Sequence, residues 1–322
     1  MFKAKVHIIC KRPLAISILA SVLCLLLLLL QISIGFGPGQ AHVDESTYLN
    51  PAAFDAARIG RFYFYYAWVL DYKVERFIIV NQVFYFLTSY LMALNLNKIN
   101  CLPTLKLLLL FLIFDPLRMH FSVHVLKESM IIFFLIFLVN KNYRWILSVL
   151  LAIFLRLYFV GYMLAFEKPT ARFLTFLIIS SAFAFLSILI FLDHLPTAYV
   201  KLLLGVTDGF PANEIFHVPE FKELGFWGAV LRVFVWPFIT ITGLNMAFAE
   251  SLIALAFIPI IFGTVVTTFF IRKNLFLIGP FVVAVAGLSY LVPHYDSFIR
   301  YCYPLLCVYP FLALRRRRYR LE

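Results

Sequence analysis

LAISILASVLCLLLLLLQISIGF, residues 14–36, carries no charged side chain, and its length matches the roughly 20 apolar residues that a helix needs to cross a bilayer. A basic start precedes it, with Lys3, Lys5, Lys11 and Arg12, and no small-residue cleavage pattern follows it. The stretch therefore reads as a signal anchor with its N-terminus inside rather than as a removed signal peptide. The rest of the chain has the same character. Of 322 residues, 63% are hydrophobic and 14% charged, and the mean hydropathy is +0.95, which excludes an ordinary globular surface.

Further apolar segments are Phe77–Leu96, Thr104–Met119, Leu126–Val139, Trp145–Leu155, Leu157–Phe166, Phe173–Leu192, Glu250–Ile271, Leu275–Val292 and Phe298–Leu314. Together with the anchor they predict an all-α polytopic transmembrane bundle of about ten helices, some of them short hairpins, as one domain over residues 1–322. Residues 145–166 read either as one span or as two short helices turning at Arg156. Charge decides between these. A single span would place Arg315, Arg316, Arg317 and Arg318 outside, against the positive-inside rule, whereas two short helices keep them inside with Lys168, Arg172, Arg272 and Lys273. The net charge of +12 is thus read as topology and not as a nucleic-acid patch.

On this topology both termini are cytoplasmic. Only Glu167 and Glu322 among the acids lie inside, and His42, His120, His124, His194, His217 and His294 all lie outside. Arginine and lysine set the orientation, so the acids and histidines support it independently. Any acid, base or metal chemistry is expected on the outer face. Two long outer loops, 37–76 and 193–249, are expected to form interfacial helices, Phe226–Thr242 among them. The cysteines, Cys10, Cys24, Cys101, Cys302 and Cys307, show no metal-ligand spacing, and no disulfide is expected.

Four polar groups stand out on the outer side. VDESTYLNPAAFDAARIGRFY, residues 43–63, brings Asp44, Glu45 and Tyr48 close behind the anchor. A carboxylate there serves as a general base or metal ligand, or, more plainly, marks a helix N-terminus with Asp44 or Ser46 as its cap. FDPLRMHFSVHVLKES, residues 114–129, packs Asp115, Arg118, His120, His124, Lys127 and Glu128 between apolar flanks. Ionisable groups at that depth are costly and so are functional candidates. Lys127 reads as a phosphate contact and Glu128 as a structural partner. His120 and His124, four apart, would share a helix face, but without a third ligand they make a weak metal signal. Arg156 is the only charged residue between Arg144 and Glu167 and either pairs with an acid such as Glu250 or faces a phosphate. LVPHYDSFIRYCYP, residues 291–304, places His294, Asp296 and Arg300 in an expected outer turn, with Arg300 either snorkelling to headgroups or touching phosphate or sugar. In PANEIFHVPEF, residues 211–221, Glu214 and His217 belong to a loop that either covers a substrate or is a solvated surface.

The order of these parts, VDESTY, HVLKES, FLRLYF and IRYCYP, resembles the GT-C superfamily of membrane glycosyltransferases and the O-antigen or capsule polysaccharide polymerases that share its plan. The resemblance covers most of the chain as an outline. It implies transfer of a sugar or oligosaccharide from a polyprenyl phosphate or pyrophosphate carrier of the undecaprenyl kind to a glycan acceptor, at the periplasmic face of a bacterial inner membrane. Carried over, Asp44 or Glu45 is the base or metal-binding carboxylate, with His294 as a further acid-base group. Lys127, Arg156, Arg300 and Arg118 hold the lipid-linked phosphate, and Tyr48, Glu128 and His217 contact substrate. There is no second acidic pair like those of metal-dependent relatives. No cofactor is therefore implied beyond an optional divalent cation, and the partners are the lipid-linked donor, the acceptor and membrane lipid, not nucleic acid. A transporter or flippase of lipid-linked glycans is the competing reading. It requires polar groups on both faces and near the midplane, with broken helices. A purely structural scaffold leaves the buried cations unexplained.

Overall fold

The computed structural model describes residues 12–39, 43–51, 62–99, 103–139, 141, 143–155, 159–166, 267–268, 280–281, 284–285 and 295–315. Among these every regular element is helical and no strand occurs, so the described chain is all-α. The helices are α1 (Pro13–Ser33), α2 (Val43–Leu49), α3 (Phe62–Val69), α4 (Val74–Lys98), α5 (Pro103–Ile113), α6 (Pro116–Val123), α7 (Glu128–Leu138), α8 (Arg144–Phe154), α9 (Phe159–Leu164) and α10 (Tyr295–Arg315). Two of them, α1 and α4, are long and apolar enough to cross a membrane.

Pro13 sits in the first turn of α1, where its missing N–H removes no helical bond. Ile16, Ser17, Ala20, Cys24 and Gln31 form one buried stripe against α4 and α6, while Leu19, Val22, Leu26 and Leu29 remain exposed on the other side. α4 opens with Glu75 and closes with Lys98, each at the helix end whose partial charge it complements. It packs between α1 and α7, and α10 packs on both α7 and α4.

Tight turns set these helices. Gly39 has φ +90°, and a Cβ there would stand 3.1 Å from Val74 Cγ2 and 3.3 Å from Leu49 Cδ1, so glycine is needed both for its dihedral and for its closeness. Asp71 and Tyr72 adopt positive φ between α3 and α4, and Asp71 holds Lys73 at 2.9 Å on the surface.

The expected boundaries are corrected at several points. Thr104–Met119 is not one span, because the chain breaks at Phe114–Asp115. Asp115 caps α6 by accepting from the Leu117 N–H at 3.0 Å, and Pro116 opens that helix, so α5 cannot run through. The expected Leu126–Val139 span shortens to α7, because the Asn81 side-chain amide donates to the His124 and Leu126 carbonyls and holds that connection outside a helix. The region from Trp145 to Phe166 does divide into two short helices, α8 and α9, with α8 ending before Leu155. The last helix begins at Tyr295, which puts Asp296 and Arg300 on a helix and not in a turn. Phe173–Leu192, loop 193–249 and Phe226–Thr242 lie outside the described residues. Of Glu250–Ile271 and Leu275–Val292 only Thr267–Thr268, Pro280–Phe281 and Ala284–Val285 are described, all helical.

Candidate functional site

The C-terminal ends of α1, α6 and α8 meet the N-terminal parts of α4, α7 and α10, and α2 lies against this junction. The connection His124–Lys127 is its centre. Asn81 Nδ2 donates to the His124 carbonyl at 2.7 Å and to the Leu126 carbonyl at 3.3 Å, so the connection is clamped from α4. Glu45, fully buried on α2, reaches it from the other side. Its Oε1 accepts from His124 Nδ1 at 3.1 Å and from the Val125 backbone N–H at 2.6 Å.

Glu45 titrates far from an ordinary carboxylate. Burial by itself would raise its pKa. The hydrogen bond and charge of His124, with the backbone N–H groups of Val125 and Gly39, outweigh burial and lower it to about 2. Asp44 and Ser46 lie within α2, which begins at Val43, so neither is its cap. On the far side of His124 its ring meets that of His120, with centroids 4.4 Å apart, and Gln31 Nε2 of α1 donates to His120 Nδ1 at 2.7 Å. Among the described residues no three His, Cys, Asp or Glu side chains gather as a metal site would require.

Lys127 and Glu128 leave the same connection in different directions. Lys127 Nζ stands 5.1 Å from the centroid of the Tyr48 ring and donates to the Leu155 carbonyl at 3.5 Å, at the end of α8 and one residue before Arg156 in sequence. Glu128, the first residue of α7, takes Arg300 of α10 in a two-pronged ion pair, Nε to Oε1 at 2.7 Å and Nη2 to Oε2 at 3.4 Å. Arg300 is therefore neutralised by a carboxylate, and Glu128 is engaged by a side chain rather than presented to substrate.

Arg118 goes elsewhere. Its Nη2 donates to Ser89 Oγ at 2.8 Å and to the Ile113 carbonyl, and its guanidinium lies 4.2 Å from the centroid of the Tyr85 ring, with 1% of the residue exposed. The Asp115 carboxylate beside it accepts from the Tyr303 hydroxyl. This second polar group sits deeper among α4, α6 and α10, so Arg118 does not share the surroundings of Lys127.

Of the residues singled out from sequence, Glu45, Tyr48, Lys127, Glu128 and Arg300 converge, and Arg118 stands apart. Arg156, His217 and His294 lie outside the described residues, as does the side chain of Asp44. The residues that sequence reasoning undervalued are His124 and Asn81. His120 and His124 carried a signal as a spaced pair, but the partner of His124 is 79 positions away in the chain. Comparison with family models, with curated proteins and with solved structures gives no match.

Proposed function

We propose that this chain is a multi-pass glycosyltransferase or polysaccharide polymerase of the GT-C kind in a bacterial inner membrane, working at the periplasmic face on a sugar or oligosaccharide carried by a polyprenyl phosphate or pyrophosphate. The finer architecture belongs to the same proposal: about ten membrane helices, with both termini cytoplasmic. The observation that carries the reading is the buried Lys127 beside Tyr48 at one end of the bundle, on a connection that Glu45 and Asn81 clamp and that the Glu128–Arg300 pair flanks. A glycosyl phosphate is already activated. The acceptor oxygen bonds the anomeric carbon, the bond from that carbon to the phosphate oxygen breaks, and the leaving phosphate takes the electron pair. Lys127, with Arg156, meets the phosphate charge. Glu45 accepts from His124 and the Val125 N–H, has little basicity left and holds the connection that carries Lys127, so the acceptor proton goes to Asp44 or His294.

The test is glycan formation by the full chain in liposomes supplied with polyprenyl-pyrophosphate-linked oligosaccharide. Lys127→Ala, Asp44→Asn and Arg156→Ala are each expected to cut product at least about 100-fold without loss of folded protein. Normal product from all three variants refutes the assignment. The transporter reading draws on the Asp115–Arg118 group deep in the bundle and on the helix break at Asp115–Pro116. It predicts movement of the lipid-linked glycan between leaflets with no new glycosidic bond.

A further inference from the structure

α1, α4 and α6 meet along a seam that is polar where a bundle in lipid is expected to be dry. Its register is set by cross-links. Gln82 Nε2 donates to Cys24 Sγ at 3.2 Å and to the Ser122 carbonyl at 3.3 Å, Cys24 Sγ lies 3.7 Å from the Met119 carbonyl, and Arg118 reaches Ser89. On the three helices that form this seam several polar atoms are sealed from solvent and have no hydrogen-bond partner: Ser21 Oγ, Gln31 Oε1, Asn81 Oδ1, Gln82 Oε1, Thr88 Oγ1, and Nε and Nη1 of Arg118. Gln31, Asn81, Thr88 and Arg118 are each 5% exposed or less.

These atoms have little freedom to resolve themselves. The amide nitrogens of Gln31, Asn81 and Gln82 are each held by a partner, which fixes where their oxygens stand. Arg118 is a rigid planar fork anchored through Nη2. Only Ser21 and Thr88 have the local escape of bonding back to a carbonyl one turn earlier. The chemistry of the set selects its ligand. Three amide oxygens accept and would repel an anion, the guanidinium donates and would repel a cation, and the two hydroxyls do either. Water both donates and accepts, and a buried water typically makes about three such bonds.

We propose that the seam between α1, α4 and α6 holds a file of ordered water molecules running from Gln31 and Asn81 to Arg118. Asn81 and Ser89, the α4 residue that Arg118 reaches, are separated by about 12 Å at roughly 1.5 Å per residue, a length that about four waters at hydrogen-bond spacing would span. At one end the file meets His120, whose ring touches that of His124, itself bonded to Glu45; at the other it meets Arg118 beside Asp115. Bound water of this kind would join the site at the α2 end to the Arg118–Asp115 group, whichever reaction the bundle serves, and the fixed guanidinium at its inner end would bar protons and other cations from passing further.

Radiolytic hydroxyl labelling in ¹⁸O-water, read by mass spectrometry on the full chain in lipid nanodiscs, tests this without any substrate. Bound water generates radicals beside buried side chains. Cys24 and Tyr85, which line the seam, are expected to label at least about tenfold faster than the equally buried Cys302 and Tyr162 outside it. Equal rates overturn the proposal. Thr88→Val replaces a hydroxyl by a methyl of the same shape. In a wet seam it lowers the melting temperature and slows Tyr85 labelling. In a dry seam it relieves an unpaired hydroxyl, and a melting temperature that holds or rises overturns the proposal.

Discussion

Arg300→Ala takes a guanidinium away from a buried carboxylate. Glu128 is fully buried, and Arg300, with 14% of its side chain exposed, closes on it through two nitrogens from 172 residues further along the chain. Removing one partner of such a pair costs about 3–5 kcal/mol, because the remaining charge is left in a low-dielectric interior. The converse variant is milder. Glu128→Gln keeps the shape and one acceptor oxygen, while Arg300 has a path to solvent, so a loss of about 1–2 kcal/mol is expected. The double variant Glu128→Gln/Arg300→Ala leaves no charge behind and should be more stable than Arg300→Ala alone. The thermodynamic cycle then gives a coupling of at least about 1.5 kcal/mol. Equilibrium unfolding by SDS titration in mixed micelles, followed by tryptophan fluorescence, supplies all four corners. Additivity within about 0.5 kcal/mol, or an Arg300→Ala cost below about 1 kcal/mol, would refute the claim that this pair ties α10 to α7.

Two further outcomes follow from the α2 end of the bundle. The folded pKa of Glu45 is depressed to about 2 from the ordinary 4.5, so its stabilisation is fully present above pH 4.5 and is lost as pH falls toward 2. At about 1.4 kcal/mol per unit the contribution is on the order of 3 kcal/mol, and acid titration of melting temperature should show wild type losing stability across that window more steeply than Glu45→Gln. Gly39→Ala forces a left-handed φ of +90° on alanine and drives its Cβ to 3.1 Å from Val74, and a loss of at least about 1 kcal/mol is expected by the same SDS assay.

The parts of this protein that depend on neighbours in sequence were legible in the sequence. An unbroken apolar run makes α1 and a long apolar stretch makes α4, because helix periodicity and span length are local properties. The division of residues 145–166 into two helices also followed, from the sign of the charges that flank it. Lys127 and Glu128 stand out as costly ionisable groups between apolar flanks, Glu45 and Tyr48 as outer-loop groups behind the anchor and Arg300 in an expected outer turn, and the fold brings these five to one end of the bundle. Which of them pair was invisible. The segment from Thr104 to Met119 is apolar enough to read as one helix although Asp115 and Pro116 form a local stop, and only the fold shows that Tyr303 from α10 holds the Asp115 carboxylate that caps α6. Glu45 reads as a base until packing places His124 and the Val125 N–H on it, after which it is a clamp with little basicity left. Arg300 reads as a phosphate contact until α10 lies on α7 and Glu128 neutralises it. Composition and periodicity determine where helices run and which residues are too costly to be idle. The charge a side chain still has to offer depends on what lies within about 3 Å of it, and tertiary contacts between residues distant in the chain decide that.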